Sequence, residues 1–486
     1  MKWRIVSIFL FTFFCIGLFN PILSAGNSDK PQCYVFDDHA LYAVDVVKGS
    51  LREMIRVDAK EFISGIKFSP NQKFASIITG TKKYERSKLY LLDTEKQIMR
   101  KITEIGTDST ITIPFWSPDS KQFVVLFGFN EIASGDFTHY ESYWLKLFQM
   151  EQEKLLDIIK LNESINSLEW SPNGKYIAFN GKENKDFSLY MFDTFLLKNN
   201  MITTNLRCDW WYKNLNHWSK DSNILFSING SAFFSYEIQT VRYKQILDTG
   251  KQILLQQWAD NVDRVLIVTK ESEESILHEI DMTELQLTLI NRNFQVDSPR
   301  WSPDGKTISY FSKGKNDLFS KVTLYEFNSK KIIQEAPVGS VEIYPWDIDP
   351  DYSNWSNDSK KILILIKKNN QSQYVTKCSV VEKNSMAISS DWEYVYNYWW
   401  AMDDDWIAVS GNRKEKDVLE FIPLDKPENR ITFTEKRFIA WQNQKPLDNP
   451  IPEKPSNHKT KPTTIYYSIG VVGFVLLWWI FSRMRK

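Results

Sequence analysis

At 486 residues the chain is longer than an ordinary single domain, and its 60 basic residues balance its 60 acidic ones. A net charge of zero excludes binding to nucleic acid or anionic lipid through bulk electrostatics. With 43% apolar and 14% aromatic residues, there is ample material for a large core.

Residues 1–25 read as a secretory signal peptide. Lys2 and Arg4 form a positive start, Ile5–Phe19 an apolar run, and Leu23-Ser24-Ala25 a small-residue cleavage site. The alternative is an uncleaved N-terminal anchor. The ectodomain, residues 26–445, is expected outside the cytoplasm. Cys33, Cys208 and Cys378 remain there, too few for a disulfide framework, although one bridge is possible.

Residues 26–445 are organised by a repeat. Its fullest copy is Trp301-Ser302-Pro303-Asp304-Gly305-Lys306, leading into the alternating strand Thr307–Phe311. Other copies start at Phe68, Trp116, Trp170, Trp218, Trp258, Trp355 and Trp400, so the period lies between 40 and 54 residues. In each unit the aromatic residue ends a first strand. Ser-Pro-Asp-Gly forms a tight turn, because Pro presets φ and Asp and Gly tolerate the positions after it. A third strand is announced by an aromatic-apolar run closing on an acid, as in Leu189-Tyr190-Met191-Phe192-Asp193, and a fourth strand closes the unit. Such a four-stranded sheet cannot bury both faces alone, so the units must stack into a ring with the tryptophans between them.

The ends of this region complement each other. Tyr34–Phe36, Leu41–Asp45 and Leu51–Ile55 read as the second to fourth strands of a unit that lacks its first. Arg437–Trp441 reads as an isolated first strand, in period with Trp400. The expected fold class is therefore all-β: a β-propeller of eight or nine four-stranded blades with a terminal clasp, plus one C-terminal transmembrane helix. The clasp leaves no free sheet edge.

Beyond the ring, residues 446–464 carry Pro446, Pro450, Pro452, Pro455 and Pro462 and read as a semi-extended stalk. Residues 465–482 are a nearly unbroken apolar run, with Tyr466 and Tyr467 at one boundary and Trp478 and Trp479 near the other. They read as a transmembrane helix, and the basic residues of 483–486 as a cytoplasmic tail. The expected localisation is a cell membrane, single-pass, with the N-terminal domain outside.

The Trp-Ser-Pro-Asp-Gly-Lys units resemble the WD40-like repeat of TolB-type propellers, which also occurs in the propeller parts of tricorn-type and prolyl-oligopeptidase-type proteins. The resemblance covers about residues 33–445. It implies a propeller that binds protein or peptide. It does not imply the TolB role, since no segment here resembles the small N-terminal domain of that family. Nor does it imply peptidase activity, since no segment resembles the hydrolase domain.

Residues for chemistry are sparse. The sequence has no Gly-x-Ser-x-Gly elbow and no phosphate-binding glycine loop. His39, His139, His217, His278 and His458 show no metal-ligand spacing and read as surface or loop residues. Asp347, Asp349 and Asp351 alternate like the start of a calcium loop, with a solvated loop as the competing reading. Asp403-Asp404-Asp405 reads as a polar turn. No cofactor is expected.

Three aromatic, acidic stretches precede the Trp218, Trp355 and Trp400 units and read as fourth-to-first-strand connections on one face. They nominate Trp210, Trp211, Trp346, Tyr396, Tyr398 and Trp399 as a ligand or partner face; the alternative is packing between blades. The sequence thus points to a membrane-anchored, extracytoplasmic binding module for a protein, peptide or glycan. The alternative is a carboxylate-based glycosidase or lyase with two acids about 5–10 Å apart at the channel mouth.

Overall fold

The computed structural model describes residues 32–441, apart from 82–85, 108, 113, 135–136, 184–185, 207–215, 260–262, 316–320, 338–354, 369–371 and 381–384. The segments 1–25, 446–464, 465–482 and 483–486 therefore lie outside the described residues. So do Trp210, Trp211, Trp346, Asp347, Asp349 and Asp351. Among the described residues no helix is long and apolar enough to cross a membrane.

The local code is the turn just after each aromatic residue. In the Trp301 unit, Ser302 Oγ donates to Asp304 Oδ1 at 2.7 Å and accepts the Thr307 N–H at 2.9 Å. The Gly305 N–H closes the turn on the Ser302 carbonyl at 2.8 Å. Gly305 has φ +69°, where glycine carries no Cβ penalty. The same slot holds Gly174, but also Gln72, Ser120, Ser222, Ser359 and Asp404, all with positive φ.

Three of those serines use the slot for a second purpose. Ser120 Oγ accepts the Asn71 N–H at 2.9 Å, Ser222 Oγ the Asn173 N–H at 3.1 Å, and Ser359 Oγ the Asp304 N–H at 3.0 Å. Asp404 does the same for Asn357 and Asp358, at 2.8 and 2.7 Å. Each bond crosses to the turn of the preceding blade, so local backbone strain is offset by a latch between blades. Asp404, expected in a polar turn, is a buried part of this latch.

Among the described residues the strands form nine antiparallel sheets, each built from consecutive strands except the last. We number them blades I to IX in chain order, blade I starting at Glu61. The units at Trp258 and Trp400, whose turn sequences depart furthest from the repeat, are complete. Blade V runs from the strand Ile253–Trp258 to Gln286–Asn293, and blade VIII from Tyr394–Trp400 to Ile431–Thr434. The first strand of blade II is split into Ser109–Ile111 and Phe115–Trp116, both paired with Gln122–Ser134. In blade VII the Trp355↔Ile362 bridge stands at the place of a first strand.

Blade IX is the clasp. Arg437–Trp441 pairs with Gln32–Phe36, which continues through Ala40–Asp45 to Ser50–Arg56. The register sets Cys33 opposite Trp441 and Phe36 opposite Arg437. Lys436 Nζ reaches Asp37 Oδ2 at 2.5 Å, and Arg437 pairs with Asp38. Trp441 is fully buried with Phe438, Phe421 and Trp399, so the junction with blade VIII is a continuous core.

The tryptophans that precede the turns are core residues. The indole N–H of Trp116 reaches the Lys67 carbonyl at 3.2 Å, and that of Trp170 the Phe115 carbonyl at 3.0 Å. That of Trp355 reaches Ser309 Oγ at 3.0 Å. Each bond crosses to the preceding blade. Burying one such side chain removes roughly 200 Å² from water, worth about 5 kcal/mol before entropy. Cys33 is a buried free thiol in the clasp, its pKa pushed up by burial.

Candidate functional site

First strands form the inner edge of each blade. They are largely buried and touch their counterparts in neighbouring blades, as Ser164–Trp170 touches Asn216–Trp218 and Ile253–Trp258 touches Gln295–Trp301. Fourth strands such as Arg242–Asp248 and Gln286–Asn293 are mostly exposed and form the rim. One residue per blade, just before the turn aromatic, occupies an equivalent inner position. These are Lys67, Phe115, Glu169, His217, Gln257, Arg300, Trp399 and Ala440 in blades I to VI, VIII and IX. Phe115, Trp399 and Ala440 are buried, while Lys67, His217, Gln257 and Arg300 remain partly exposed.

Blades III to VI turn this position into a polar arc. Glu169 Oε1 accepts the Trp218 N–H at 3.3 Å and lies 3.5 Å from His217 Nδ1. The His217 ring stacks on Trp258 with centroids 4.3 Å apart. Arg300 Nη1 donates to Gln257 Oε1 at 3.0 Å. Each pair crosses a blade boundary. The indole N–H groups of Trp218, Trp258 and Trp301 are buried and find no hydrogen-bond acceptor among the described residues, as is also true of Trp441. In blades II, III and VII the corresponding N–H is satisfied.

The electrostatics of the arc are those of charges held out of water. Burial pushes the Glu169 carboxyl up, and His217 opposes the shift. Asp297, three residues before Arg300, is pushed up to about 6 by burial against hydrogen bonds from the Ser298 N–H and Oγ. Tyr398 is pushed up to about 12 by burial, with the charge of Arg300 opposing. Arg300 of blade VI is thus felt by a side chain of blade VIII.

The nominated aromatic face divides. Tyr394–Trp400 is the first strand of blade VIII, not a connection, which corrects the expectation for that stretch. Trp399 is only 8% exposed and packs on Phe438 at 4.5 Å, so it is a packing residue between blade VIII and the clasp. The reason is alternation: a strand sends successive side chains to opposite faces, and at the Trp399 end of this strand both faces are covered. Tyr398 is half-buried beside blade VII, its hydroxyl 3.5 Å from the Leu363 carbonyl. Tyr396 is partly exposed and donates to Asp417 Oδ1 at 2.9 Å.

His217 and His278 also depart from expectation. Both lie in strands and are partly buried, not in surface loops. His217 belongs to the arc and is visible in the sequence only by comparing the residue before the aromatic across units. Among the described residues no group of His, Cys, Asp and Glu is arranged to hold a metal. The other buried acids are compensated locally: Glu61 by Lys88 and Thr79, Glu279 by Arg264, and Glu420 by Arg413 and Arg430.

Comparison with known proteins bears on the fold. Residues 76–227, running from blade I into blade IV, match the family described as eukaryotic translation initiation factor eIF2A. No curated protein matches the sequence. Among solved structures, the crystal structure of a eukaryotic initiation factor superposes with a TM-score of 0.57 at 14% identity, covering 86% of this chain and 100% of that one. TolB from Acinetobacter baumannii superposes with a TM-score of 0.31 at 12% identity, covering 79% of this chain and 82% of that one. Dipeptidyl peptidase 4 from Porphyromonas gingivalis gives 0.44 at 11% identity, covering 80% and 56%. At such identities the likeness concerns fold alone. The described residues form a nine-bladed, WD40-like propeller.

Proposed function

We propose that this protein is a membrane-tethered, extracytoplasmic interaction module that binds a polypeptide partner through the Glu169–His217–Gln257–Arg300 arc. The observation that carries the reading is the contrast between positions within the repeat. The turn residues recur because every blade needs them. The residue before the aromatic changes from blade to blade and is polar on four consecutive blades. In a repeat protein, what recurs serves the fold and what diverges is free to serve recognition. The arc sets donors from Gln257 and Arg300 in line with the His217 imidazole and the Glu169 carboxylate, a mix of donors and acceptors that suits the polar groups of a peptide backbone. Tethering is supported by the signal-like residues 1–25 and by the apolar run 465–482 with its basic tail.

The test has two arms. The full chain should resist alkaline carbonate extraction from membranes. A photocrosslinking residue at Gln257 should capture a defined polypeptide in cells, and Arg300→Glu should abolish capture without lowering the melting temperature by more than about 2 °C. Capture that survives Arg300→Glu would remove the arc from the binding site.

A second reading is favoured by the match over residues 76–227. In it the propeller serves translation initiation, as the name of that family states. It predicts a chain released by carbonate and co-sedimenting with ribosomes, so the fractionation separates the two.

A further inference from the structure

The first-to-second-strand turns and the third-to-fourth-strand turns share one face of the ring. In blade after blade a backbone N–H of the latter bonds a carbonyl of the former: Thr94 to Lys73, Thr194 to Lys175, Phe327 to Lys306 and Leu424 to Asp405. Trp441 stands where the other blades enter their first turn, so the chain leaves the ring on this same face. Residues 442–464 then lead to the apolar run 465–482.

On that face most third-to-fourth-strand tips are polar or mixed, such as Glu95-Lys96-Gln97, Glu151-Gln152-Glu153 and Asn328-Ser329-Lys330. Blade III is different. Its tip is Phe195-Leu196-Leu197, and these side chains are 83%, 65% and 51% exposed. Met201, on the adjoining strand, is 58% exposed. The tip is held firmly, because Asp193 Oδ1 accepts the N–H groups of Phe195 and Leu196, each at 2.9 Å. Two exposed lysines adjoin it: Lys198 follows directly in sequence, and Lys175, in the first turn, has its carbonyl bonded by the Thr194 N–H at 3.0 Å.

We infer that Phe195-Leu196-Leu197 is a membrane-interface anchor that dips into the headgroup region of the bilayer holding the chain's own C-terminal segment. An apolar tip flanked by lysines suits that boundary, where side chains bury hydrocarbon while ammonium groups meet lipid phosphates. The inference rests on the membrane-tethered reading above. A semi-extended stalk over residues 446–464, at ~3.1 Å per residue, would span about 60 Å and by itself would set no orientation of the ring. A second attachment at blade III sets its orientation, turn face toward lipid. The arc lies one residue from the first turns, so this orientation selects a partner whose binding segment emerges from the same membrane.

The test uses the full chain in nanodiscs of phosphatidylcholine with phosphatidylserine. A fluorescent amino acid is placed at Leu196 or, as a control on the opposite face, at Glu273, and the nanodiscs carry spin-labelled lipid. We expect at least twofold quenching at position 196 and none at 273. Phe195→Ser in the same chain should reduce the quenching at 196. Carbonate extraction is run in parallel. A retained chain with no quenching at 196 overturns the anchor while leaving tethering intact. A chain released by carbonate overturns tethering, and with it the anchor, whatever the quenching at 196 on added vesicles. Crosslinks between two copies through position 196, without lipid quenching, assign the tip to protein and overturn it.

Discussion

Asp297→Asn should stabilise the protein at neutral pH. Asp297 is buried on the inner strand of blade VI, and its carboxyl is pushed up from an ordinary 3.8 to about 6. The folded chain therefore holds a proton, between about pH 4 and pH 6, that the unfolded chain has released. Stability from this group is complete below about pH 4, falls as pH rises through that window, and stays at its lower level above about 6. A rise of this size corresponds to about 3 kcal/mol at pH 7.5. Asparagine keeps an oxygen for the Ser298 N–H, which now approaches Oδ1 at 2.6 Å, and carries no charge. With an unfolding entropy of roughly 2 cal/mol/K per residue over a ring of this size, 3 kcal/mol raises the melting temperature by about 3 °C. The assay is thermal unfolding of wild type and variant from pH 4 to 8. A gain of this order at pH 7.5 that vanishes toward pH 4 is expected. A variant no more stable than wild type at pH 7.5, or a gain independent of pH, would refute the claim that burial of a charged carboxylate dominates at this position.

Ser120 tests the latch between turns. Ser120→Ala loses the bond from the Asn71 N–H and keeps a Cβ at positive φ, so it should cost about 1 kcal/mol, while Ser120→Gly relieves the backbone and should be close to neutral; thermal melts of the two variants decide. Trp441→Ala removes a fully buried side chain from the clasp and should cost about 3–5 kcal/mol, read as a lower melting temperature and as faster proteolysis within residues 32–56. Glu420→Ala strips the partner from Arg413 and Arg430 beside a buried site and should destabilise by about 3–5 kcal/mol, more than Ser389→Ala, which removes one hydrogen bond to the same carboxylate; urea unfolding checks the order.

The candidate site was legible only in part. His217 carries no motif, and its meaning emerges once Phe68 and the tryptophans are superposed as one position. Arg300 and Gln257 belong to no motif either, and they meet because two inner strands lie side by side. The stretch Tyr394–Trp400 reads as a connection because it is rich in aromatic residues and precedes the Trp400 turn. It proves to be a strand whose C-terminal end is covered from both sides, Trp399 on the clasp and Trp400 in the core of blade VIII, which makes Trp399 a packing residue.

The turn after each aromatic, the four-strand blade and the clasp between Arg437–Trp441 and Gln32–Phe36 were all determined by sequence alone. Their causes are local: proline and glycine set dihedrals, serine and aspartate bond within five residues, and a broken period shows which strand is missing. The tertiary structure decided what no period encodes. It set nine blades, since closure depends on how each sheet twists and packs against the next. It also decided which faces are covered, because exposure belongs to the neighbours of a strand and not to the strand itself. Hence Trp399 is hidden, Phe195 stands in solvent, and Glu169, His217, Gln257 and Arg300 share one arc.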